Sequence, residues 1–333
     1  MRWWLAPLLS AVAWSPIRGG LRPTPPPVGD SVDDCAACHP AQTEQWRRSR
    51  HGTASSNAMF RASWGRDPDG WCLGCHEPLV RGQEALIGAA AAPGHDRAAT
   101  GVGEGVSCAV CHLEDGLILT SGEPTARARE AHAVRVVPDL GDAMCARCHE
   151  FPFQNHTPKG PFTLGDEPAQ ATFSEWKMSS AAARGERCAS CHLPDGDHDF
   201  VGAHRGDLWK GLLKVSVSAD GGDATVTLRG ALPHAVPTGD PFRRLELRLC
   251  GDSRCRDVVG VAEFRKVYAP DATTWRLRSD TTLPAGDASS TRRTVAISAP
   301  PVAWELWLMY GERVLEPGLP AAEVGRRVDA GSF

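Results

Sequence analysis

Cys35-Ala36-Ala37-Cys38-His39 decides how this chain is read, because the same C-x-x-C-H pentapeptide returns at Cys72–His76, Cys108–His112, Cys145–His149 and Cys188–His192. The copies use ten of the twelve Cys in 333 residues and five of the twelve His. At such frequencies composition alone would give roughly 0.015 motifs of this kind. Five copies are not chance. Two thiols about one helical turn apart can add to two vinyl groups on one porphyrin edge, while the adjacent imidazole reaches the iron from one face, which is the attachment chemistry of haem c. Zinc knuckles and disulfide frameworks also use Cys. Zinc sites seldom place His directly after the second Cys five times over, and a disulfide framework has no use for that His. The motifs therefore predict five covalent haem c groups, attached at Cys35, Cys38, Cys72, Cys75, Cys108, Cys111, Cys145, Cys148, Cys188 and Cys191. Their first axial ligands are His39, His76, His112, His149 and His192.

The motifs start 37, 36, 37 and 43 residues apart. Units of roughly 40 residues seldom build a core of their own. The haems are expected to supply that core, stacked inside a thin wrap of helix and loop. Iron has a second axial position, which the motif does not fill. The remaining histidines are His51, His95, His132, His156, His198, His204 and His234, enough to close every iron and few enough to leave one open. His51 lies twelve residues past His39 in a helix-like stretch. A helix would place the two imidazoles about 18 Å apart, whereas two ligands of one iron have nitrogens about 4 Å apart. His51 is therefore assigned to a different haem from the first. His132, after the third motif, and His198 and His204, after the fifth across a PDG turn, are further distal candidates, with His234 beyond them. His95 and His156 read as loop histidines, and Met59, Met144 and Met178 as core or surface residues.

Working outward, the segments CAACHPAQTEQWRRSRH, GVSCAVCH, CARCHEFPF, TFSEWKMSSAAARGERCASCHLPDGDHDF and LPHAVPTGDPFRR resemble bacterial multihaem c-type cytochromes related to the tetrahaem electron acceptor of ammonia oxidisers and, more distantly, to hydroxylamine oxidoreductase. The resemblance covers most of Cys35 to Arg244. It implies haem ligation by the five motif histidines, distal ligation by His51, and a β domain opening near HAVPTGDPFRR. One departure stands out: the second W-x-x-S segment, Trp176 to Ser179, carries Ala181 where the first copy carries His51. The corresponding haem must find another ligand or stay open.

From Leu212 the pattern turns to alternation in seven short runs, LLKVSVSA, ATVTLRGA, RRLELRLC, VVGVAEFRKVY, TTWRLRSD, TRRTVAIS and AWELWLMY, separated by Gly, Asp and Pro clusters. They read as an antiparallel β-sandwich. Cys250 and Cys255, flanking GDSR with no His after either, read as a hairpin disulfide of an oxidising compartment. The sandwich is expected to cap the haem array, with His234 as a ligand it could donate, and to present a docking face.

At the other end, Met1-Arg2 and the apolar WWLAPLLSAVAW, with its A-x-A signal, read as a secretory signal peptide, and PTPPPVGD as a structureless linker. The apolar run is shorter than the roughly 20 residues of a membrane span. The expected organisation is a signal peptide over 1–13, a Pro-rich linker over 14–30, a mostly helical and loop pentahaem cytochrome c domain over 31–210 and a β-sandwich over 211–333, an α + β two-domain chain. The mature protein is expected to be soluble and periplasmic or otherwise exported.

Composition excludes other classes. Gly 34 and Pro 26 stay below the level of low-complexity chains, and 42% hydrophobic with 23% charged is globular, so wholesale disorder is out. A net charge of -4 without a long basic run leaves no footprint for nucleic acid. Two function classes remain. The first is an electron carrier between redox proteins: a quinol-oxidising membrane cytochrome on one side, a terminal reductase or another cytochrome on the other. A self-associating wire is a variant of it. The second is an oxidoreductase acting on a small nitrogen or sulfur compound at one open haem. Against its familiar forms, no C-x-x-C-K is present, and Tyr268 and Tyr310 both lie in the β region, away from the motifs.

Overall fold

The computed structural model describes residues 31–66, 69–79, 103–138, 140–155, 163–205 and 207–333. The signal-peptide and linker segments, His95 and His156 lie outside them.

Short helices carry the motifs. α1 (Val32–Ala36) and α2 (Pro40–Arg48) bracket the first; α3 (Ala58–Arg66) precedes α4 (Gly70–His76), which ends on the second; α5 (Cys108–His112) is the third. α6 (Ala126–Ala131) leads into His132, α7 (Leu140–His149) ends on the fourth motif, and α8 (Thr172–Lys177) and α9 (Ser180–Ala183) lead to α10 (Cys188–His192), the fifth. The capping signals are local. Ser31 and Asp34 form a capping box on α1, and the Asp69 carboxylate accepts the Trp71 N–H at 2.9 Å to start α4. Pro40 at the first turn of α2 lets the chain leave the first motif directly into a new helix.

The motif region is less purely helix and loop than expected. β1 (Leu113–Glu114), β2 (Leu117–Thr120) and β3 (Val134–Val136) form a small sheet, and β4 (Glu150–Asn155) pairs antiparallel with β5 (Thr163–Ala171). These runs are too short and too interrupted to show alternation in the sequence, so pairing rather than propensity makes them strands.

All seven expected strands form: β6 (Lys214–Asp220), β7 (Asp223–Leu232), β8 (Arg244–Cys250), β9 (Val258–Asp271), β10 (Thr274–Asp280), β11 (Gly286–Ala296) and β12 (Ala303–Met309). An eighth, β13 (Gly325–Ser332), was not anticipated, because GRRVDAGS has no apolar alternation; it pairs with β12 at the sheet edge. One antiparallel sheet runs β10-β9-β8-β12-β13, the other β11-β7-β6. Leu245, Leu247 and Leu249 of β8 share one core with Val226 and Leu228 of β7 and with Phe264, Leu306 and Leu308. Cys250 and Cys255 are joined as a disulfide. By contrast, the apolar cluster among the described residues of the motif region is small, Phe60, Trp64 and Leu73 with Cys72 against them, and Val32, Trp46, Leu119, Leu140 and Phe153 are buried apart from it.

Candidate functional site

The C-x-x-C-H spacing turns the chain through one helical turn, and in four copies His is the last helical residue. What each imidazole then meets is a matter of tertiary structure. His39 faces His132 with ring centroids 6.3 Å apart, His51 faces His149 at 6.3 Å, His112 faces His198 at 6.1 Å, and His192 faces His234 at 6.2 Å. A metal–imidazole bond of about 2.0 Å on each side, with about 1.1 Å from nitrogen to ring centre, places two axial imidazoles roughly 6.2 Å apart. The four pairs fit an iron between them.

The second-sphere hydrogen bonds fit as well. The Nδ1–H of His76 donates to the Ala54 carbonyl at 2.9 Å, that of His112 to Leu119 at 2.9 Å, and that of His192 to Val201. On the distal side, His198 donates to Gly196 at 2.8 Å and His234 to Ala235 at 2.9 Å. A carbonyl only accepts, so the proton sits on Nδ1 and Nε2 keeps the lone pair that a metal needs. His51 differs: its Nδ1 is buried without a partner, and its ring meets the edge of Phe200 at 4.2 Å. Burial, with His192 adding to it, pushes His51 down to about 4, and burial and the neighbouring His51 push His149 down to about 4. His149 keeps accessible surface at the end of its helix. Both rings are neutral at physiological pH, as ligands must be.

The thiols report how the motifs neighbour one another. Cys35 neighbours Cys108, Cys75 neighbours Cys148, and Cys145 neighbours Cys188, each pair close enough for one thiol to shift the other, while Cys111 feels Cys145 and Cys148. The first motif thus lies beside the third, the third beside the fourth, and the fourth beside both the second and the fifth. Burial raises Cys108 to about 11 and Cys111 to about 12, while the neighbouring thiols of Cys188 and Cys75 lower Cys145 and Cys148. Among the described residues no group of three or more His, Cys, Asp or Glu converges as a cage for a bare metal ion, which zinc knuckles would require.

Three sequence expectations meet a different geometry. His204, a distal candidate, stacks at 3.8 Å on Tyr310 and not opposite a motif imidazole; burial, then Arg50, Arg243 and Arg326, push it down to about 2. Tyr268 and Tyr310 are not remote from the motif region: besides the Tyr310–His204 contact, the Tyr268 hydroxyl donates to the Pro168 carbonyl at 3.2 Å. Finally, the doubt raised at Ala181 falls elsewhere. Ala181 is buried in α9, and the fifth motif faces His234. The motif imidazole that meets no second imidazole among the described residues is His76, whose ring lies against Phe60 at 4.1 Å and 14°.

Residues that the sequence reading missed act between elements. Asp142, one turn before Cys145, accepts the Cys188 N–H at 3.1 Å and pairs with Arg187 at 2.9 Å, tying the fourth motif helix to the fifth. Nothing in their sequence spacing announces this.

Residues 34–113, which contain the first three motifs, match the family model described as cytochrome c554 and c-prime. The fold is similar to a penta-heme cytochrome c552 from Thermochromatium tepidum, with a TM-score of 0.59, 21% identity, and coverage of 90% of this chain and 97% of that one. These matches support a multihaem c-type cytochrome. At that identity the structural likeness speaks for the fold, and the function of a cytochrome here has to come from its own sites. No curated protein matches the sequence.

Proposed function

We propose that this multihaem cytochrome is an exported pentahaem electron carrier, with a haem-bearing domain over 31–210 and a β-sandwich over 211–333 that caps it. The observation that carries the reading is the set of four imidazole pairs at 6.1–6.3 Å, which would hold four irons closed on both faces. Haem iron, when bound, takes up and releases one electron at a time. The chain's part is to hold the sites in contact, and the thiol neighbours supply the order: first, third, fourth, with the second and fifth both joining at the fourth. His51 and His149 would then ligate the junction. His39 and His132 are exposed, and α6, which leads to His132, has no buried residue, so the first site is the one a redox partner reaches most directly. Partners of the expected kind are a quinol-oxidising membrane cytochrome and a terminal reductase or further cytochrome. No helix among the described residues is long and apolar enough to cross a membrane.

A second reading, a haem-based oxidoreductase for a small nitrogen or sulfur compound, is favoured by one observation, His76 facing Phe60 and no second imidazole among the described residues. Expression in a host that matures cytochromes c separates the two. The carrier reading expects five covalent haems per chain, at least four low-spin, and uptake of no more than one carbon monoxide equivalent after reduction. Two or more equivalents would overturn it. A single equivalent accompanied by turnover of nitrite, hydroxylamine or a sulfur oxyanion would establish the enzyme.

A further inference from the structure

His234 is unlike the other distal candidates. It stands on the segment between β7 and β8, outside the motif-bearing region, yet it meets His192 at 6.2 Å with the rings only 13° from parallel. Something must carry that alignment across two parts of the fold. Three polar contacts do so through one carboxylate. Glu175, on α8, accepts the Ala235 N–H at 3.1 Å and the Thr238 hydroxyl at 3.0 Å on Oε2, while Oε1 receives Lys266 Nζ of β9 at 2.9 Å. The Glu175 and Lys266 side chains are only 14% and 19% exposed, so the pair is charge-assisted and shielded from the screening that weakens surface pairs.

The same residue is held through its carbonyl. The Ala235 carbonyl accepts the His234 Nδ1–H at 2.9 Å, so the carboxylate fixes the residue whose oxygen orients the imidazole. Thr172, at the start of α8, adds a hydroxyl contact to Thr238 at 2.7 Å. On the other side, the Ser174 N–H donates to Glu150 at 3.1 Å, next to His149. One six-residue helix thus ties the flank of the fourth motif to the distal residue of the fifth.

We infer that Glu175 is a positioning residue for the fifth haem site: its carboxylate, through the Ala235 peptide, holds the His234 imidazole on the axis of His192. This rests on reading His192 and His234 as the two ligands of one iron, and the controls keep the two claims apart. His234→Ala is expected to convert one low-spin haem to high-spin and to add one carbon monoxide equivalent over wild type in the reduced protein. Glu175→Ala is expected to add up to one equivalent at the same site, reversed by free imidazole in the ferric protein. Glu175→Gln, which keeps an acceptor for Ala235 and Thr238, should stay near wild type. Glu175→Asp withdraws the carboxylate by about 1.5 Å and carries the same measurement if the alanine variant fails to accumulate. Wild-type spin count and carbon monoxide uptake in Glu175→Ala, or in Glu175→Asp where that variant stands in, would overturn the inference provided His234→Ala opens its site. An unchanged count in His234→Ala would instead remove the ligand pair on which it rests.

Discussion

Replacing His51 by Ala tests the pairing of the sites, because the structure gives it a partner, His149, that lies far along the chain. The side chain is deep and meets the Phe200 ring edge-on at 4.2 Å. An aromatic pair of this kind contributes about 0.5–1.5 kcal/mol, too little for its removal to unfold the chain. The effect should therefore be local. All five haems stay attached, since none of the ten motif cysteines is touched, and one haem in five becomes high-spin. Haem content by pyridine haemochrome and spin state by electron paramagnetic resonance measure the two quantities separately. A double variant then decides the partner. His51→Ala with His149→Ala alters the same single site, whereas His51→Ala with His132→Ala alters two, because His132 faces His39. If the first combination altered two sites and the second only one, the pairing argued from the ring distances would be wrong.

Three other outcomes follow from particular contacts. Arg244, 2% exposed, donates to Glu246 at 2.8 Å, to Glu316 and to the Gly311 carbonyl at 3.1 Å; Arg244→Met leaves Glu246 with Arg248 at 3.1 Å and Arg313 at 3.2 Å but removes the donor to the Gly311 carbonyl, and should cost about 1–3 kcal/mol, read as a melting midpoint lower by on the order of 5 °C, and a change under about 1 °C would contradict it. Reducing the Cys250–Cys255 disulfide, which closes a very short loop, should cost about 2 kcal/mol with haem content unchanged, whereas haem loss would place these cysteines at a haem. His204 is held neutral in the folded chain, with its pKa depressed to about 2 against an ordinary 6.5, so its contribution to stability is full above pH 6.5 and is lost as pH falls below that value. His204→Phe should flatten the acid limb of a stability–pH curve between pH 6.5 and 4 and leave the spin count unchanged; a gain of one high-spin haem would return His204 to the ligand set.

The motif histidines and the cysteines beside them were legible because their chemistry is local: two thiols and an imidazole within five residues are a complete attachment signal. The seven alternating strands were legible for a similar reason, since a two-residue period facing one core is written directly in the side chains. β13 escaped because an edge strand can form by backbone pairing to β12 without an apolar face. Distal candidates could be gathered from the sequence but not matched to motifs, and His204 shows the cost, being a histidine of suitable position that ends against Tyr310.

What the sequence determined by itself is therefore the repeated C-x-x-C-H pattern and the division into a motif-rich stretch and a strand-rich one. Only the tertiary structure decided that His132 faces the first motif, His51 the fourth, His198 the third and His234 the fifth, and that His76 meets Phe60. The physical reason is range. A C-x-x-C-H motif is made within one turn of backbone, whereas an axial pair is made by two rings that approach to about 6 Å from distant points of the chain, and that approach depends on packing and on contacts such as Glu175 with Ala235.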